Sequence, residues 1–164
     1  MRIEGKVVVY GDNIDTDVII PGRYLVLQEP SELAKHAMEG VDPSFPQKAK
    51  EGVIIVAGRN FGCGSSREEA PVALKHANTK CVIAESFARI FYRNAINIGL
   101  PILEASLRDK VSEGDILSVD LVSGVIENKT RGIRVQAKPL PTLAIEIISA
   151  GGLTRYVRKK LGLE

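Results

Sequence analysis

Three short apolar runs constrain this chain most: Val53-Ile-Ile-Val-Ala57, Cys81-Val-Ile-Ala84 and Leu100-Pro-Ile-Leu103. Each is too short for a helix and lacks polar alternation, so each reads as a strand buried on both faces. Between them lie two stretches of helical pattern, Arg67 to Ala77 and Ser86 to Ile98. The second sets Phe87, Ile90, Phe91, Ala95 and Ile98 on one face and is ended by Gly99. A strand–helix–strand–helix–strand order argues for right-handed parallel crossovers.

Ahead of this unit, Gly5 to Gly11 reads as another buried strand, closed by glycine. Asp12 to Arg23 reads as a polar loop around the apolar stretch Val18-Ile-Ile-Pro21. Ser31 is placed to cap a short helix, Glu32 to Met38, and Gly40 to Gly52, with Pro43 and Pro46, reads as a loop. From Gly114 onward the texture changes. Asp115 to Val122, Gly124 to Asn128 and Ile133 to Ala137 read as antiparallel strands joined by turns. Pro141 opens a helix that runs to Ala150, Gly151-Gly152 ends it, and Leu153 to Leu161 reads as a basic amphipathic tail helix. The expected fold is α/β: a mixed sheet with flanking helices, in a single domain over 1–164.

Composition removes several function classes. The 22 basic and 20 acidic residues leave a net charge of only +2, which favours neither nucleic acid nor an anionic membrane as partner. Trp is absent and aromatics are 5%, so no platform for stacked bases is expected. No apolar run approaches the ~20 residues of a membrane span, and the first ten residues lack the apolar core of a secretory signal. Two cysteines, Cys63 and Cys81, make no disulfide framework and are too few for an iron–sulfur cluster. They read as reduced thiols in a cytoplasmic protein that holds no metal itself.

The sharpest local feature is Gly58-Arg-Asn-Phe-Gly-Cys-Gly-Ser-Ser-Arg-Glu68, between a buried strand and a helix. Its glycines let the backbone turn tightly and approach a ligand closely. Ser65 and Ser66 are expected at the N-terminus of the following helix, where free N–H groups and the helix dipole favour an anion. Arg67 adds a bidentate partner for a carboxylate or phosphate. Spacing alone fits equally well a plain strand-to-helix turn with Ser65 or Ser66 as the cap. The segment is not a Walker loop, because Lys-Ser/Thr is missing after the glycines, and Gly-x-Ser-x-Gly does not occur. His76, on a helix with no partner pattern, reads as structural or exposed.

Asp12-Asn-Ile-Asp-Thr-Asp17 follows the first strand, where α/β folds place ligands, although Asp and Asn are also ordinary turn residues. The spaced acids and terminal Glu of an EF-hand are missing, which argues against a calcium loop. Gly22-Arg-Tyr-Leu-Val-Leu-Gln-Glu-Pro30 sets an apolar patch in a loop, suited to packing on the core, lining a pocket or meeting a partner.

Taken together, several blocks resemble the small subunits of isopropylmalate dehydratases and homoaconitases, which are similar to the swivelling fourth domain of aconitase. They are Gly-Asp-Asn-Ile-Asp-Thr-Asp-Val-Ile-Ile-Pro (11–21), Arg-Tyr-Leu (23–25), the segment 58–68, Ala84-Glu-Ser-Phe-Ala-Arg-Ile-Phe91 and Ala150-Gly-Gly-Leu-Thr-Arg-Tyr156. The resemblance spans nearly the whole chain and implies a swivelling β/β/α domain. It implies that Ser65 is a catalytic base, with Ser66 and Arg67 beside it, and that Asp17 is an active-site carboxylate. Many relatives carry His where this chain has Glu69.

The implied reaction is a dehydration and rehydration shared with a large iron–sulfur subunit. That subunit is expected to hold the 4Fe-4S cluster, while this chain binds no cofactor and is inactive alone, free to self-associate when isolated. Relatives acting on citrate-like or homoaconitate-like acids place Arg after Tyr-Leu, to pair the additional carboxylate. Here the loop reads Tyr24-Leu25-Val26-Leu27, which suits an alkyl group and makes isopropylmalate the expected substrate. Alternatives at this level are a homoaconitase-type or promiscuous small subunit, a stand-alone anion-binding regulatory module, and a structural subunit without catalytic residues.

Overall fold

The computed structural model describes residues 1–163. Seven strands form one sheet: β1 (Arg2–Val9), β2 (Val53–Ala57), β3 (Thr79–Ala84), β4 (Ile102–Glu104), β5 (Ile116–Asp120), β6 (Val125–Asn128) and β7 (Ile133–Gln136). Their order across the sheet is β4-β3-β2-β1-β5-β6-β7. Neighbours from β1 to β4 are parallel and those from β1 through β5 to β7 are antiparallel. The mixed sheet and flanking helices make the fold α/β, as the alternation of apolar runs and helical patterns requires.

The parallel half carries the core. Every residue of β2 is buried, and Ile54 to Ala57 have no exposure at all, so both faces of the strand are covered. Each such aliphatic side chain contributes ~1.5–3 kcal/mol of burial. The antiparallel strands alternate: Val125, Ile126, Glu127 and Asn128 run half-buried, buried, half-buried, buried, as in a sheet with one wetter face.

The crossover helices are α4 (Glu69–His76) and α5 (Arg89–Asn97), and α6 (Thr142–Ala150) and α7 (Leu153–Lys160) close the chain. α4 packs on α5, α5 on α6 and α6 on α7. Pro141 caps α6 and Gly151, at φ 93°, ends it in the left-handed conformation.

Three stretches expected as loops or differently bounded helices depart from the sequence reading. Thr16–Ile19 forms a short helix, α1, because the Asp15 carboxylate accepts the Val18 N–H at 2.9 Å. α2 spans Pro30–Ala34 with Glu29 as N-cap, so Pro30 rather than Ser31 sets its start. Phe45–Lys48, expected as loop, is one helical turn, α3, seeded by Pro46 and anchored by fully buried Phe45.

Candidate active site

The site forms where three loops leave the C-terminal ends of the adjacent parallel strands β1, β2 and β3. The first two loops are zipped together by backbone bonds: Asn13 N–H to Arg59 O at 2.8 Å, Gly62 N–H to Ile14 O at 2.7 Å and Thr16 N–H to Cys63 O at 2.8 Å. Asp12 Oδ1 accepts the Arg59 N–H at 2.8 Å and pairs with Arg108 at 3.1 Å. The third loop joins through Phe61 N–H to Ser86 O at 3.0 Å and Ala88 N–H to Phe61 O at 2.9 Å.

Two glycines are required by this closure. A Cβ on Gly58 would lie 1.8 Å from Asp12 Oδ1. Gly62 sits at φ 83°, and a Cβ there would lie 2.2 Å from the Phe91 ring.

A cleft of about 190 Å³ opens between the second and third loops. Ser65, Ser66 and Arg67 line one side, and Arg89, Ile90, Phe91 and Asn94 of α5 line the other. Both serines are exposed, and the backbone beneath them is fixed because the buried Thr16 hydroxyl donates to Ser65 O at 2.8 Å. Arg67 Nη1 donates to Asp17 Oδ1 at 2.8 Å and to Ile20 O at 3.0 Å. The Asp17 carboxyl lies below its ordinary range, held there by the Arg67 guanidinium and then by the Gly22 N–H at 3.0 Å. Four predicted residues, Asp17, Ser65, Ser66 and Arg67, therefore meet in one place.

The helix expected to start at Arg67 starts at Glu69, with Glu68 as N-cap and no side-chain capping bond. Pro71 is the physical reason: it lacks an N–H and is tolerated only within the first turn, which a start at Arg67 would exceed. Ser65 and Ser66 consequently stand on the loop, short of the helix, and the N-terminus of α4 carries Glu68 and Glu69 rather than a vacant anion hole. The uncapped helix that begins at the cleft is α5.

The loop residues Tyr24, Leu25, Val26 and Leu27 do not line the cleft. Tyr24, Leu25 and Leu27 pack against the core, whereas Val26 is 80% exposed. Gly22 ties their segment to the site through Asp17.

Sequence reasoning missed Arg89, Ile90 and Asn94 as cleft residues. Arg89 makes no ion pair or hydrogen bond through its guanidinium among the described residues, unlike Arg67. Ile90 is 50% exposed, an unusual place for a large apolar side chain and a usable signal once the helix face is drawn.

Among the described residues no group of three or more His, Cys, Asp or Glu is arranged to hold a metal ion. Cys81 lies fully buried in β3, where burial pushes its thiol up to about 12. Cys63 is half-buried at the base of the cleft loop, its thiol raised by burial and by the Asp15 charge. Such a pair offers no cradle for a cluster. No helix is long and apolar enough to cross a membrane among the described residues.

Residues 12–106 match the family model of the aconitase C-terminal domain. A 3-isopropylmalate dehydratase small subunit from Pyrobaculum calidifontis is 60% identical over 98% of this chain and 99% of its own length. An isopropylmalate/citramalate isomerase small subunit from Methanocaldococcus jannaschii is 56% identical over 97% of this chain and 95% of its own. A crystal structure of 3-isopropylmalate dehydratase from Methanocaldococcus jannaschii superposes with a TM-score of 0.94 at 48% identity, covering 99% of this chain and 97% of that one.

Proposed function

The chain belongs to the aconitase family, and on that premise we propose that it is the small subunit of a 3-isopropylmalate dehydratase. It interconverts 2- and 3-isopropylmalate by dehydration and rehydration, a step of leucine biosynthesis, as one swivelling domain (1–164) paired with a large subunit. The observation that carries this reading is the meeting of Ser65, Ser66 and Arg67 at a single cleft, with Asp17 paired to Arg67 behind it and both hydroxyls exposed.

Both isopropylmalates lose a proton from the carbon next to a carboxylate. Ser65 Oγ takes that proton, and Ser66 with Arg67 holds the adjacent carboxylate. Asp17 fixes the Arg67 fork in the orientation this needs. A serine hydroxyl is a weak acid, so its alkoxide requires positive charge nearby. The helix start described above removes the α4 N-terminus from that role. Arg67, and across the cleft Arg89, are the cations that line the cleft. A 4Fe-4S cluster held by the large subunit would supply the Lewis acid for the departing hydroxyl, and among the described residues of this chain no metal-binding group competes for that role. Water then returns to the neighbouring carbon.

Ile90 gives the cleft an apolar wall suited to the isopropyl group, and Val26, exposed on the neighbouring loop, is the apolar side chain that loop offers to a substrate held between the two chains. The isopropylmalate/citramalate relative favours a tolerance for the smaller methyl group in the same place.

Reconstitution tests the assignment. The chain alone should be inactive, and mixing it with a cluster-loaded large subunit should give turnover of isopropylmalate. A mixture that prefers homoaconitate, or a chain that binds phosphate and never joins a large subunit, would end it.

A further inference from the structure

Arg23 follows Gly22, whose N–H bonds Asp17, and it is the one cation of the loop; its charge acts on the Asp17 carboxyl. Left free, it could pair with a carboxylate of the substrate. It is not free. Its Nη2 donates to Glu39 Oε1 at 2.8 Å, and its guanidinium lies over the Tyr24 ring at 4.6 Å. The Tyr24 hydroxyl donates to the same oxygen at 2.6 Å. His36 Nδ1 meets the other oxygen at 2.7 Å, and its ring stacks on Tyr24 at 3.7 Å. Glu39 lies 15 residues beyond Tyr24, so sequence proximity does not bring it here.

We infer that Glu39 is a specificity-determining residue: by engaging Arg23, Tyr24 and His36 it withholds the Arg23 charge from the active site and leaves Val26 as the exposed apolar side chain of the loop. This rests on the proposed substrate reading and supplies the reason an alkyl group is preferred despite an arginine in the loop. Glu39 touches no reacting atom and acts through Arg23.

The test compares two malates in the reconstituted enzyme: one with isopropyl at the third carbon, the other with a carboxyethyl group there. Glu39→Gln keeps an acceptor and removes the charge. It should raise kcat/KM for the carboxyethyl compound relative to the isopropyl one by about tenfold, as expected for one charge-assisted hydrogen bond. Adding Arg23→Ala should abolish that gain. An unchanged ratio in Glu39→Gln, or a gain that survives Arg23→Ala, overturns the proposal. Val26→Arg separates the two levels. If it shifts preference while Glu39→Gln does not, only the Glu39 inference fails; if neither shifts, the loop reading fails with it. A readout independent of turnover is phenylglyoxal labelling of the full chain, mapped by mass spectrometry. Arg23 should react several-fold faster in Glu39→Gln than in wild type, and equal rates contradict the pairing.

Discussion

Asp17 and Asp42 show two uses of a carboxylate in the same loop system. Asp17 is solvent-exposed and serves as the anchor of Arg67. Asp17→Asn should leave the fold intact, since the pair is near the surface, yet loosen the guanidinium. The expected result is a rise of about tenfold in KM for isopropylmalate with a smaller change in kcat, read by steady-state kinetics of the reconstituted enzyme. Asp42 is structural. Burial works against its ionisation, but donors from Ser44, Lys48 and Tyr10 outweigh it and hold the carboxyl at about 2. A depressed native pKa adds stability above the unfolded value, and that stability is lost as pH falls through the native value. Urea midpoints should therefore fall more steeply between roughly pH 4 and 2 in wild type than in Asp42→Asn. Parallel curves would contradict the assignment.

At the scale of elements, the parallel strands and both crossover helices were legible because β2 and residues 81–84 of β3 are continuously apolar and helical periodicity marks α5. The start of α4 departs from the helical pattern because Pro71 is held in the first turn, which moves the helix start to Glu69. The site was only half legible. The serine–arginine segment and Asp17 lie in contiguous motifs, but Arg89, Ile90 and Glu39 reach their places through strand order and loop closure, which no local pattern encodes. Loop closure itself makes a prediction. Gly62→Ala combines a positive φ with overlap on Phe91, and both penalties should appear together. Chemical denaturation should report a loss of about 2–4 kcal/mol, with the Phe91 side of the cleft displaced. A neutral Gly62→Ala would mean that the second and third loops are not locked as described.

On the scale of the whole molecule, the cleft is bordered by exposed groups, both polar and apolar. Ser65 stands exposed, Arg89 has no carboxylate partner among the described residues and Ile90 is half exposed, as suits a surface that a second polypeptide covers. Aconitase-family membership and the small-subunit relatives give that partner its character. The most direct measurement is single-turnover kinetics with isopropylmalate, using the large subunit mixed with wild type or with Ser65→Ala, and with complex formation verified by sedimentation. Complexes should form equally, and the variant should lose at least about a hundredfold in rate, in keeping with removal of a general base. Full turnover by an assembled Ser65→Ala complex would contradict the account at its centre.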